Sequence, residues 1–247
     1  MASAQAPFVT DDTAVADFHK WHFEFTNEFD FLKNSDYPNL RQNTANFKVS
    51  YGAFKNIEVG FDNQLLNIST APNPIYPDAA FGYGDLDLSV KWHISEEKGR
   101  RPGFGASLNI EIPTGDQHKQ LGSGIADYYL NCIAQKSLPK KNTLRLNGGL
   151  YFAGNPATGV VGDRTTAGFV FTGAASIIHD YTEKFAMGVE FAGAGTFSQI
   201  LGKGQLQTQI GGTYQLNPKL SVVFGFIAGF YRDSPRFAPN VGIEKDF

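Results

Sequence analysis

Apolar and polar side chains alternate through most of this chain, and the alternation breaks and restarts often enough to define twelve segments. The first sets Trp21, Phe23, Phe25, Phe29 and Phe31 against His22, Glu24, Thr26, Glu28 and Asp30. A period of two is that of a β-strand whose two faces meet different surroundings. The same rule governs Ala45 to Tyr51, Ile57 to Phe61, Asp85 to His93 and Phe104 to Ile112. The last of these is closed by Pro113-Thr114-Gly115, because proline has no N–H to give to a ladder. The alternation returns around Leu130, Leu146, Phe171, Val189, Ile210 and Phe224, and the chain ends on a strand-like run from Phe237 through Val241 and Ile243 to Phe247.

Connection lengths add independent information. Links after the second, sixth, eighth and tenth segments are short, as in Gly52 to Asn56 and Leu138 to Asn142, while most links after odd-numbered segments are longer. An even number of antiparallel strands with short turns at one end and longer loops at the other is the pattern of a bacterial outer-membrane barrel, and about 9 to 11 residues suffice to cross. A soluble β-sandwich also alternates. Against it, Trp21, Tyr51, Trp92, Tyr128, Phe152, Phe185, Tyr214, Phe230 and Phe247 fall near segment ends on the apolar face, where interfacial aromatic belts lie. Closure also leaves no unpaired edge in hydrocarbon. The expected fold is therefore all-β, a twelve-stranded antiparallel transmembrane β-barrel over residues 20–247, with N- and C-termini periplasmic.

Composition narrows the classes further. There is no run of about 18 apolar residues, which excludes a helical membrane protein. Aromatics at 14% and 27 glycines favour strands and close-packed walls over helices. Cys132 is the only cysteine, so there is no disulfide framework and no cysteine-based metal site. A net charge of −3 and no basic cluster larger than Lys98-Gly-Arg-Arg101 give no footprint for nucleic acid. The N-terminus lacks the basic and apolar regions of a signal peptide, yet Ala2-Ser3-Ala4 has the small-x-small pattern of a cleavage site. It reads as a mature export product carrying a start Met, or as an ordinary flexible terminus. Residues Pro7 to Ala16 are polar and acidic, which predicts a mobile or loosely docked tail.

Gly84-Asp85-Leu86-Asp87-Leu88-Ser89-Val90-Lys91-Trp92, followed by a basic turn and by Ile112-Pro113-Thr114-Gly115, resembles the outer-membrane family named for the MetA pathway of phenol degradation. The segment Tyr51-Gly-Ala-Phe-Lys-Asn-Ile-Glu-Val-Gly60 is similar to that family as well. The resemblance runs from about Lys20 onward and implies a membrane barrel that takes up aromatic or other small hydrophobic compounds; it assigns no ligand residues. The terminal Phe247, closing an alternating strand, is similar to the signal by which insertion machinery recognises outer-membrane barrels.

With the apolar face toward lipid, the polar face lines a pore. The acidic candidates are Glu24, Glu28, Asp30, Glu58, Asp62, Asp85, Asp87, Glu111, Asp127, Glu190 and Glu244, most of them on the first six strands, and the basic ones are Lys48, Lys91 and Arg145. Some carboxylates are expected to pair with these cations, and the excess acid to favour cations over anions. A salt-bridged interior that merely stiffens the wall is the alternative. The later strands turn Val170, Ala174, Ala186, Ala192, Val223, Gly225 and Ile227 inward, so one wall is charged and the other small and apolar. That asymmetry suits an amphipathic solute, or a plug formed by the flexible N-terminal segment, residues 1–19, docking around Val15 to Phe18.

An enzyme would need a site, and none is legible. No Gly-x-Ser-x-Gly occurs, His22 and His93 read as lumen-facing, and His118 and His179 lie in turns. His19 and His22 near Glu24 lack further metal ligands, and the loop acids Asp116 and Asp163 are weak calcium candidates. No cofactor is implied. The leading expectation is an outer-membrane channel for small solutes, aromatic or amphipathic, with outer-membrane lipid, lipopolysaccharide and the insertion machinery as partners. The alternative is a closed structural or interaction barrel presenting loops such as Gly154 to Thr165 to a partner.

Overall fold

The computed structural model describes residues 7–32, 39–70, 72, 77–153, 168–197, 204–231 and 234–247. Twelve strands, each antiparallel to its neighbours, close into one barrel. They are β1 (Trp21–Phe31), β2 (Asn39–Phe54), β3 (Ile57–Thr70), β4 (Ala79–Ser95), β5 (Gly103–Ile112) and β6 (Asp127–Leu138). The remainder are β7 (Asn142–Ala153), β8 (Gly168–Asp180), β9 (Phe185–Gly195), β10 (Gln205–Asn217), β11 (Leu220–Gly229) and β12 (Phe237–Asp246). β1 closes the ring on β12, with Phe25 opposite Ile243, and the Phe247 amide donates to the Trp21 carbonyl at 3.0 Å. The start of β1 and the end of the chain therefore share one rim.

The outward face is apolar from rim to rim. Trp21, Phe61, Val90, Leu130, Phe171, Ile210 and Phe226 are all exposed, whereas the residues between them point inward. An exposed apolar surface this continuous is stable in hydrocarbon and not in water. Trp21, Trp92, Tyr214 and Phe247 crowd the rim that holds the tight turns, and Phe81, Tyr83, Tyr128, Phe152 and Phe169 crowd the other. These are the amphipathic rings expected at the two boundaries of a bilayer. Turn chemistry is consistent with the short-turn end: Lys140 and Lys141 both take positive φ between β6 and β7, the geometry of a turn that matches strand twist.

The strands run longer than the periodicity predicts on one side. β2, β3 and β4 extend past the alternating core to Asn39, Thr70 and Ala79. A register shift in the β3–β4 pair, where Asn63 faces Leu86 and Leu65 faces Tyr83, inserts an extra residue in β4. Period-two alternation cannot be carried through such a bulge, because one added residue moves the following side chains to the opposite face. Beyond it Ala80 turns inward beside Leu66 and Ile68, which keep the inward parity of Asp62 on β3, and Leu121 from the β5–β6 connection packs on them as a small buried cluster.

That connection is folded back into the mouth. Asp85, on β4, accepts from the Gly115 amide at 2.8 Å and the Ser123 amide at 3.0 Å, and the Thr114 hydroxyl donates to the Gly84 carbonyl at 3.0 Å. The Gly-Asp and Pro-Thr-Gly pair of the sequence thus closes one clamp. The proposed partner loop Gly154 to Thr165, and Asp163 within it, lie outside the described residues.

Candidate functional site: the barrel lumen

The inner face is organised by register. Glu24, Lys48, Asp62, Asp87, Glu111 and Asp127 are successive cross-strand partners from β1 to β6, and Glu24 also faces Glu244 on β12. Strands in a barrel tilt, so a row of partners climbs from one rim to the other. Glu244 sits near the C-terminal rim and Asp127 opens β6 at the loop rim, so the acidic row climbs the height of the wall. Its one cation is spent early: Lys48 donates to Glu24 at 3.0 Å, and His22 lies 3.3 Å from the same carboxylate and 2.7 Å from Asp246.

A second row crosses the opposite wall. Arg145 on β7 faces Ser176 on β8, which faces Glu190 on β9, which faces Gln209 on β10. Residues 7–12 run along this row. The Gln209 amide donates to the Pro7 carbonyl at 2.6 Å, the Glu190 carboxylate accepts from the Val9 and Thr10 amides at 2.9 and 2.6 Å, the Thr10 and Ser176 hydroxyls are 2.7 Å apart, and Arg145 stands 3.5 Å from Asp12. The segment then reaches the other wall. Lys91 on β4 donates to Asp11 at 2.7 Å and Asp12 at 3.0 Å, His93 bonds the Thr13 carbonyl at 2.6 Å, and the Ala16 amide donates to Glu58 on β3 at 2.6 Å. Since β3 and β9 are diametrically opposed in the ring, residues 9–16 span the width of the barrel.

Between a mobile and a docked tail, the structure has the docked one, and the reason is chemical. An acidic segment with no partner stays solvated, but Lys91 and Arg145 lie within reach of its carboxylates, and Glu58 and Glu190 accept its backbone amides. The contacts fall on Pro7 to Ala16, whereas Phe18 of the expected docking stretch is half exposed at the rim. The reversal that sends the chain inward occurs at His19, at φ 61°, where its amide donates to Gly52 at 2.9 Å. Gly52 is required there, because a Cβ would run into the Asp17 carbonyl.

The segment separates two cavities. One of about 620 Å³ opens toward the turn rim and is lined by Phe8, Arg145, Lys184 and Gln215. Another, of about 230 Å³, lies on the side of Val9 and is lined by Asp87, Glu111, Tyr129, Tyr151, Ala174, Ala192 and Gln207. Phe8 and Val9 are adjacent in an extended chain and so face opposite ways, one into each cavity. A third pocket of about 130 Å³ lies among Asp11, Lys48, Glu58, Asp62 and Lys91.

The residues singled out from sequence are distributed over these features. Glu24 and Lys48 pair with each other, Glu28 accepts from Asn240 at 3.2 Å, and Glu58, Lys91, Arg145 and Glu190 hold the segment. Asp85 is occupied by the folded-in loop, while Asp87 and Glu111 line the smaller cavity and Asp62 the third pocket. Tyr151 donates to Glu111 at 3.3 Å and lies 3.5 Å from Asp127. Val170, Val223 and Ile227 are buried inward, and Ala174 lines the smaller cavity. Sequence reasoning passed over Asp11, Asp12, Tyr129, Tyr151, Gln207 and Gln209. The tyrosines alternate correctly with their neighbours, but nothing in the pattern distinguishes a polar wall residue from one at a cavity. Among the described residues no group of three His, Cys, Asp or Glu is arranged to hold a metal ion.

Comparison with known proteins places this architecture in context. The sequence profile of the family described as "Putative MetA-pathway of phenol degradation" matches residues 7–244. Among solved structures, the COG4313 outer membrane channel from Pseudomonas putida F1 superposes with a TM-score of 0.72 at 13% identity, covering 99% of this chain and 100% of that one. The NanC porin superposes with a TM-score of 0.61 at 8% identity over 91% of this chain and 98% of that one. The KdgM porin does so at 0.58 and 8% identity over 92% and 99%. No curated protein sequence matches this chain. At such identities the structural likeness speaks to the fold.

Proposed function

The chain belongs to the family described as "Putative MetA-pathway of phenol degradation", and on that footing we propose that it forms a bacterial outer-membrane channel for small solutes, aromatic or amphipathic, with residues 7–18 as an internal gate. The observation that carries this reading is the pair of cavities, about 620 and 230 Å³, on either side of one hydrogen-bonded segment inside a closed barrel. A wall built only for stiffness would have no use for unfilled polar space. The short turns and both termini face the periplasm, and the aromatic rims sit at the two lipid boundaries. The N-terminal segment is held mainly by hydrogen bonds and ion pairs, with Phe8 and Ala16 as its buried apolar side chains.

The outer membrane channel and the two porins that superpose on this chain support the same reading by their shared architecture. The test is flux. Purified barrel reconstituted in liposomes should speed osmotic swelling in small amphipathic solutes such as benzyl alcohol or benzylamine over protein-free vesicles. Identical swelling rates with and without protein, for every solute and for the chain lacking residues 1–18, would reject the channel.

A further inference from the structure

The smaller cavity has two unlike walls. Tyr129 and Tyr151 stand with ring centroids 5.5 Å apart, and Ala174, Ala192 and Gly193 continue that surface with almost no side-chain bulk. The tyrosine hydroxyls are tied to Thr172 at 3.2 Å and to Glu111 at 3.3 Å, so the rings are fixed in place. Beside them, on the neighbouring strands β4 and β5, are Asp87 and Glu111, direct cross-strand partners. Like-charged neighbours at that spacing disfavour each other unless a proton or a cation sits between them. The cations that the sequence turns inward do not line this cavity: Lys48 pairs with Glu24, Lys91 with Asp11 and Asp12, and Arg145 with Asp12, while Lys48 and Lys91 share the neighbouring pocket with Asp87.

Gln207, on β10, bounds the same cavity from the far wall. The cavity therefore sets a pair of carboxylates beside an aromatic wall, and among the described residues no lysine or arginine lines it. Apolar cavities near 150 Å³ hold a benzene ring, so about 230 Å³ leaves room for a ring and one short polar arm.

We propose that this cavity, walled by Tyr129 and Tyr151 with Asp87 and Glu111 beside them, is a binding site for a small aromatic cation, a primary ammonium on a single ring. The ring lies against the tyrosines and the ammonium donates to Glu111, with Asp87 adding charge. This inference rests on the channel reading and names the solute class that the channel selects.

The experiment is calorimetry on the full-length barrel in detergent micelles at neutral pH, with benzylammonium, benzyl alcohol and benzoate as probes and empty micelles subtracted. A charge-assisted hydrogen bond in place of a neutral one predicts that benzylammonium binds at least about tenfold tighter than benzyl alcohol, with benzoate weakest. Glu111→Gln should abolish the preference while leaving the benzyl alcohol signal in place. Asp87→Asn, on the neighbouring strand, should weaken benzylammonium severalfold, and it keeps the test valid if the Glu111 variant fails to fold. Equal or stronger binding of benzyl alcohol or benzoate overturns the proposal, as does benzylammonium binding that neither variant changes. Absence of binding by all three probes overturns it too. Liposome swelling separates the two levels: a barrel that passes solutes but does not prefer the ammonium refutes this inference alone, whereas one that passes nothing refutes the channel.

Discussion

Glu190→Ala removes the strongest anchor of the N-terminal segment. The Glu190 carboxylate accepts two backbone amides, from Val9 at 2.9 Å and Thr10 at 2.6 Å, and the residue is 1% exposed. Hydrogen bonds to a charged group contribute about 1.5–3 kcal/mol each, and the two share one acceptor group, so a loss of about 3 kcal/mol for the pair is a reasonable scale. That corresponds to roughly a hundredfold rise in the undocked population of the segment. Strand ladders on β9 do not depend on this side chain, so the barrel itself should persist. The assay is amide hydrogen exchange followed by mass spectrometry of peptides covering residues 7–18. These should exchange about a hundred times faster in the variant, while peptides from β2 and β10 keep their wild-type protection. If exchange of residues 7–18 is unchanged, the segment is not held by Glu190 and the docking row has been misread. If the whole barrel exchanges faster, Glu190 is a structural residue of the wall.

Other consequences follow from single contacts. Gly52→Val places a side chain where the Asp17 carbonyl lies, so it should loosen residues 7–18 without altering any charge, seen as faster exchange or easier proteolysis of that segment. Asp85→Ala strips the Gly115 and Ser123 amides of their acceptor and should expose the 113–126 connection to protease, at a stability cost of about 1–3 kcal/mol. Leu66→Ala empties part of the fully buried cluster with Ile68, Ala80 and Leu121 and should cost about 2–5 kcal/mol in urea titrations of the micelle-bound barrel. In the β4–β5 turn, hydrogen bonds from Lys136 and the Ser137 amide to Glu97 hold its carboxyl down from the ordinary 4.5 to about 2. A depressed carboxylate contributes stability that is complete above the ordinary value and lost as pH falls through the lowered one. Protection of the Ser137 amide should therefore survive at pH 4 and fall off toward pH 2, and Lys136→Met should move that loss upward.

The sequence carried the barrel because closure demands two unlike faces on every strand, and Trp21 to Phe31 or Phe104 to Ile112 display both without interruption. It carried the inward side of Glu24, Lys48 and Glu190 for the same reason. It did not carry the bulge in β4, because the extra residue flips the parity of that strand and brings Ala80 to the inner face, against the count from Asp85 and Asp87. Nor did it carry the fate of Pro7 to Ala16. A polar acidic stretch looks solvated until Lys91 and Arg145, distant in sequence, are brought beside Asp11 and Asp12 by register. Register also assembled Asp87 and Glu111 into one wall of a cavity, with Tyr129 and Tyr151 beside them, which no local window of sequence contains.

Single-channel recording in planar bilayers tests the internal gate most directly, by comparing the full chain with the chain lacking residues 1–18. With the segment spanning from Glu190 to Glu58, the intact barrel should show small or infrequent openings, and removal should join the two cavities and raise conductance severalfold. Equal conductance from the two proteins would mean that residues 7–16 do not obstruct the path of ions, and the gate would have to be abandoned.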